Sequence, residues 1–149
     1  MSLALALVGC SPTTPSQSVN LTGTWTGAES DAGPVRWTMT QTASSVTGTM
    51  TLLDASTGAT VVSGSITGIT ASSGANQTLT FEQRVDFFQF PLGSQYYAFG
   101  FDTTGVIALR GTNQLTGNYL GSANMLRSPP SPRGTGGPFT NGTLTLTRQ

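Results

Sequence analysis

The side chains of this chain that could carry acid, base or nucleophilic chemistry near neutral pH are few. They are Glu29, Asp31, Asp54, Glu82, Asp86, Asp102 and the single Cys10, with no histidine and no lysine in 149 residues. Two carboxylates at the right separation could act as acid and nucleophile, or acid and base, on a glycosidic bond. None of the six sits in a recognisable motif, and surface solvation or turn formation is their expected role, because charged residues are mostly exposed. The missing histidine removes Ser-His-Asp and Cys-His catalysis and ordinary zinc sites together. Asp54-Ala55-Ser56-Thr57-Gly58 lacks the acidic ladder and closing Glu of a calcium loop and reads as a turn. Gly134-Thr135-Gly136-Gly137 is followed by neither Lys nor a helix and so makes no phosphate cradle. The expectation is a non-enzymatic protein with no cofactor and no metal.

Composition narrows the partners. Charged residues make up 8% of the chain, its six cations are all arginine, and the net charge is zero. A nucleic-acid partner is not expected, since phosphate binding relies on a clustered basic surface. The lone cysteine cannot close an internal disulfide, but its position is informative. Residues 3–8 form a short apolar run ending in Leu7-Val8-Gly9-Cys10, followed by Ser11-Pro12. This resembles the lipobox of bacterial lipoproteins, in which the cysteine is acylated and becomes the mature N-terminus. Met1-Ser2 supplies no cationic start to such a signal, so either the true start lies further upstream or the segment is cut short. Residues 1–10 are thus read as a signal remnant ending at Cys10, the lipidation site. Residues 11–20, with Pro12 and Pro15 among Ser, Thr and Gln, read as a flexible tether. Residues 21–149 remain as a single domain, long enough to bury a core without staples.

The elements that must position any site read as strands. Val35, Trp37, Met39 and Gln41 alternate with Arg36, Thr38 and Thr40; Val46, Met50 and Leu52 alternate with threonines; Leu79, Phe81, Gln83 and Val85 alternate with Thr78, Thr80, Glu82 and Arg84. Such a period of two is that of a half-buried strand. Further strands are expected over 21–27, 61–69, 106–111, 115–120 and 142–148. Residues 86–101 form an aromatic hairpin with its tip at 91–94, 102–105 a turn, and 121–141 a long loop rich in Pro, Gly and Ser. Abundant Gly and Thr without a long helix-forming run make the class all-β. Eight or nine short antiparallel strands without a helical crossover point to an up-and-down barrel or a sandwich. The Thr-Gly pairs at 22–23, 47–48, 67–68 and 116–117 look like one device reused, without the fixed period of a solenoid. A transmembrane barrel would show the same alternation turned inside out. The chain lacks clear aromatic girdles.

Gly23-x-Trp25 in the first strand, with Arg148 near the end of the last, resembles the calycin superfamily of lipocalins and avidins. The resemblance implies a barrel in which the early Trp packs at the closed end beneath a basic side chain, a cation-over-indole unit. Gly23, Trp25 and Arg148 would form that plug, and the fold would be an eight- or nine-stranded antiparallel up-and-down barrel of calycin type. Avidin function does not transfer: the family's biotin pocket uses tryptophans from later strands, and none follows Trp37, while Met50 stands where a tyrosine is expected.

Three functions compete. Phe87, Phe88, Phe90, Tyr96, Tyr97 and Phe99 exceed what burial of alternate positions needs, and such aromatics are strong contact anchors. The favoured expectation is an envelope lipoprotein held at a bacterial membrane, the outer membrane in particular, by its N-terminal lipid and binding an envelope protein through this hairpin. The alternatives are a lipocalin-like carrier of a small apolar ligand and a lipocalin-like protease inhibitor. A connected apolar cavity above roughly 300 Å³ would favour carriage, and a filled interior a protein partner.

Overall fold

Apolar residues alternating with threonine dictate strands with one face toward a core, and the chain closes them on themselves. A computed structural model describes residues 18–74, 76–92, 95–128 and 141–149, with side chains throughout except at 87–92, 95–99 and 122–128. The strands are β1 (Gly23–Glu29), β2 (Gly33–Thr42), β3 (Ser45–Leu53), β4 (Thr60–Ser73), β5 (Asn76–Leu92), β6 (Gln95–Arg110), β7 (Gln114–Ser128) and β8 (Gly142–Arg148). Each pairs antiparallel with the next, and β8 returns to β1, making a closed eight-stranded up-and-down barrel with no helix among the described residues. Followed once round, from Gly23 through Met39, Gly48, Ile66, Gln83 and Thr103, the registers return to β1 about ten residues further along. A stagger of that size in eight strands tilts them by roughly 40° and leaves an interior that side chains can just fill.

The filling is done by Trp25, Trp37, Met39, Met50, Ile66, Leu79, Phe81, Ile107, Leu115, Tyr119, Leu144 and Leu146, all buried. Trp37 and Phe81 meet edge to face, with ring centroids 5.0 Å apart. Most apolar residues therefore point inward and most threonines outward at the described positions, the reverse of a lipid-facing barrel; Val61, Ile69, Val106 and Leu120 are exposed, and Thr103 is buried. The Thr-Gly device now has a physical meaning. In the pairs at 47–48, 67–68 and 116–117 Thr takes an outward position and Gly an inward one, where a Cβ would strike the neighbouring strand. Around one tier the registers run Gly68, Phe81, Gly105, Tyr119, Gly142, glycine and ring in turn. A methyl group at Gly105 would lie 2.8 Å from the Phe81 ring, and one at Gly142 would lie 2.1 Å from that of Tyr119. The rings occupy the space that glycine gives up.

One end is sealed. The chain before β1 crosses it, with Leu21 fully buried. Gln77 Oε1 accepts from Val19 N–H and Gln77 Nε2 donates to Val19 C=O, both at 2.8 Å. Gln41 Oε1 accepts from Leu21 N–H at 2.8 Å, and the Trp25 indole N–H donates to Leu21 C=O at 2.9 Å. Two glutamine side chains thus stand in for the strand partners that this crossing segment lacks.

The other end differs from the sequence expectation in two places. Residues 102–105, read as a turn, are continuous strand within β6, and residues 121–128, read as the start of a long loop, are the end of β7. Asp102-Thr103-Thr104-Gly105 has turn composition, yet Thr103 is a buried inward residue and Gly105 is the inward seat beneath Phe81. Residues 129–140 of the expected loop, like the tether up to residue 17 and Cys10, lie outside the described residues. β5, β6 and β7 outrun their neighbours: β4 pairs β5 only as far as Arg84, and β8 pairs β7 only as far as Tyr119. Beyond those points the three strands continue as an arm past the barrel rim. At its root a bulge sets Asp86 and Phe87 of β5 against Gly100 of β6, the local device that bends and twists a strand.

Candidate functional site

The open end carries a polar cluster inside an otherwise apolar barrel. Strand parity puts Glu29 two positions beyond Gly27 and four beyond Trp25, so the last residue of β1 points inward, with Leu144 of β8 and Gly33 of β2 as its Cα partners. The same parity turns Gln83 of β5, Thr103 of β6 and Tyr119 of β7 inward. Relative exposure is 3% for Glu29, 0% for Gln83, 4% for Thr103 and 4% for Tyr119. Glu29 Oε1, both amide atoms of Gln83, the Tyr119 hydroxyl and the Trp37 indole nitrogen are buried without a hydrogen-bond partner. Each such orphan costs on the order of 1–3 kcal/mol, so a cluster of them needs a reason.

A cavity of about 200 Å³ opens at this level, lined by Glu29, Asp31, Ala32, Leu52, Phe101, Thr103 and Tyr119. Its rim is the tight β1–β2 turn, tied to β8 by Ser30 N–H donating to Thr143 C=O at 2.9 Å and Thr143 N–H donating to Ser30 Oγ at 3.0 Å. Burial pushes the Glu29 carboxyl up to about 7 from its ordinary 4.5, with a weaker opposing pull from the Gln83 amide and a small push from Asp31. Gln83 thus faces Glu29 but closes no hydrogen bond to it. Among the described residues no cation answers Glu29. Arg36, Arg84 and Arg110 are exposed on the outside or at the far turn, and Arg148 is at the sealed end. A carboxyl with a strongly shifted pKa in a cleft is a functional-site candidate.

At the sealed end, the Arg148 guanidinium carbon lies 4.9 Å from the centre of the Trp25 ring. The guanidinium donates to the carbonyls of Asn20 and Thr22. Gly23 sits beside it at φ 135°, a conformation that side chains rarely adopt. The aromatic positions lie at the opposite end, on the arm. Phe88 pairs Phe99 and Phe90 pairs Tyr97 across β5 and β6, and Tyr96 pairs Ser128 of β7. The side chains of Phe87, Phe88, Phe90, Tyr96, Tyr97 and Phe99 lie outside what the structure describes.

Sequence reasoning put Gln83 on the inward face of its strand but treated it as one more core position, and it gave Glu29 to a turn. The signal available was a polar residue at inward parity: Glu29 after Trp25 and Gly27, and Gln83 between Phe81 and Val85. No protein-family profile, curated protein or solved structure matches the chain.

Proposed function

We propose that this protein is a binding protein of the bacterial cell envelope, of calycin-like architecture, whose barrel mouth takes up a small molecule with polar groups. The observation that carries the reading is the pair of unpartnered buried polar atoms on Glu29 and Tyr119, residues that line a cavity open at one end, with the unpartnered Gln83 amide buried behind them. Buried donors and acceptors kept without partners are explained if the missing partners belong to a ligand. The volume, about 200 Å³, falls below the roughly 300–1,000 Å³ of pockets for drug-sized ligands, so the occupant is small. Catalysis is the weaker reading. Glu29 near neutrality resembles a glycosidase acid, but a bond flanked by two sugar units does not fit this space. Acylation at Cys10, with the expected tether of residues 11–20, of which Val19 is held against the barrel by Gln77, would hold the open barrel near a membrane surface, more than one acyl chain being needed for stable anchoring.

The test is a titration of the isotope-labelled protein with a panel of small polar molecules, following the Gln83 side-chain amide by NMR. A ligand of the mouth shifts that resonance and loses affinity on Thr103→Val or Tyr119→Phe, substitutions in the cavity wall. A panel in which every bound compound ignores both substitutions would sink the reading.

The arm favours a second reading, recognition of an envelope protein. Its three strands run past the barrel rim at the same end, and its sequence holds the aromatic cluster. Here Phe88→Ser with Tyr97→Ser would abolish a defined stoichiometric complex while leaving small-molecule titrations unchanged. A complex that survives the double substitution argues against it.

A further inference from the structure

We infer that the mouth pocket is a site for a small organic cation, an alkylammonium in particular. This rests on the reading of the barrel mouth as a small-molecule site. The cavity wall combines two acids, Glu29 and Asp31, with two aromatic side chains, Phe101 and Tyr119, and an aliphatic patch from Ala32 and Leu52. Among the described residues, both charged lining residues are acidic. A carboxylate floor attracts a cation by charge, aromatic faces attract it through their quadrupole, and the aliphatic patch suits an alkyl chain.

The decisive asymmetry is at Glu29. Its carboxyl is almost wholly buried, one oxygen has no hydrogen-bond partner, and no described arginine stands within ion-pair distance. Buried carboxylates are normally paired, because an unpaired one pays the full loss of hydration. An ammonium group in the cavity supplies the absent charge partner. Asp31, exposed at the rim, adds attraction at the entrance, where water screens it. The groups facing Glu29 from the other strands are neutral: Gln83 on β5, Thr103 on β6, Tyr119 on β7 and Leu144 on β8. Asp31 is its charged neighbour among the described residues.

An alkylammonium ion and a proton would then compete for the same carboxylate. Glu29 is mostly protonated at pH 6 and mostly ionised at pH 8, given its pKa of about 7. Affinity for the cation should therefore rise about tenfold between those two pH values.

The experiment uses three probes of matched length, n-butylammonium, 1-butanol and butyrate, titrated into the full chain at pH 6 and pH 8. The Gln83 side-chain amide and Thr103 backbone amide report by NMR. The expected result is n-butylammonium binding at least tenfold tighter than 1-butanol at pH 8, no detectable butyrate, and a tenfold weakening of the cation at pH 6. Glu29→Gln, a neutral isostere that keeps the fold, should bring cation and alcohol to equal affinity and remove the pH response. Asp31→Asn should weaken the cation by no more than a few fold. If 1-butanol or butyrate binds as well as n-butylammonium, the cation inference falls while the small-molecule reading stands. If Glu29→Gln leaves the cation's affinity and pH response intact, the assignment to Glu29 falls. If none of the three moves either resonance, the inference falls, and the wider panel decides the reading beneath it.

Discussion

Replacing Glu29 by glutamine should make the barrel more stable at neutral and alkaline pH and remove most of the pH dependence of folding above pH 5. The folded chain holds the Glu29 proton with a pKa of about 7, whereas an ordinary glutamate releases it near 4.5. Below 4.5 the group is protonated in both states and contributes no pH dependence. As pH rises through 4.5 to 7 the unfolded chain ionises first, so folding stability falls, and above 7 the whole penalty of a buried charge is in place. The separation of the two pKa values corresponds to about 3 kcal/mol, or a drop of roughly 6–12 °C in melting temperature for a domain of this size. The window is clean, because the chain has no histidine and Asp54, held near 2 by Ser56 and Thr57, titrates far below it. Urea unfolding of wild type and Glu29→Gln at pH 5, 6, 7 and 8 measures the effect. Wild type should lose stability across the series while the variant stays level and overtakes it by pH 7. A wild-type curve that is flat or rising between pH 5 and 7, or a variant with the same slope, would refute the reasoning.

Other substitutions test other parts of the molecule. Trp25→Ala empties the sealed end and should cost roughly 3–5 kcal/mol, measured by chemical denaturation; a loss below about 1 kcal/mol would contradict its place in the core. Gly142→Ala drives a methyl into the Tyr119 ring and should cost about 1–3 kcal/mol as overpacking, with Tyr119→Leu in the same chain recovering part of the loss in a double-mutant cycle. Ala43 holds φ 52° in the β2–β3 turn, so Ala43→Gly should raise stability by about 1 kcal/mol, and an unchanged or lower denaturation midpoint would count against strain at that residue.

Strand periodicity was legible because threonine and apolar residues alternate so regularly, and the all-β class follows from it, whereas the choice of a barrel over a sandwich came from the resemblance carried by Gly23, Trp25 and Arg148. What composition concealed was continuity. β5 and β6 are single long strands whose middles look like breaks: Asp86 and Phe87 hide a bulge, and Asp102 to Gly105 mimics a turn although Gly105 is only a seat for Phe81. Glycine carries two meanings in a narrow barrel, chain reversal and close packing, and local sequence does not separate them. The mouth cluster was hidden for a related reason. Glu29 and Gln83 acquire their burial from strands distant in sequence, and only barrel closure brings β1, β3, β6 and β7 round the same cavity.

The tier of alternating rings and glycines bears on how such a barrel could change what it holds. In most cores, space for a guest is made by shrinking several neighbours, each at its own expense in packing. Here every ring already faces glycines on both adjoining strands, so the backbone on either side of Tyr119 contributes no bulk of its own. Shortening Tyr119 alone would hollow out a full sector of the tier and join it to the existing mouth. The reverse step, a larger residue at Gly105 or Gly142, would have to evict a ring. The interior capacity of this barrel is thus set less by its strand number than by two aromatic stoppers, and a lineage could retune it one residue at a time without altering a single turn.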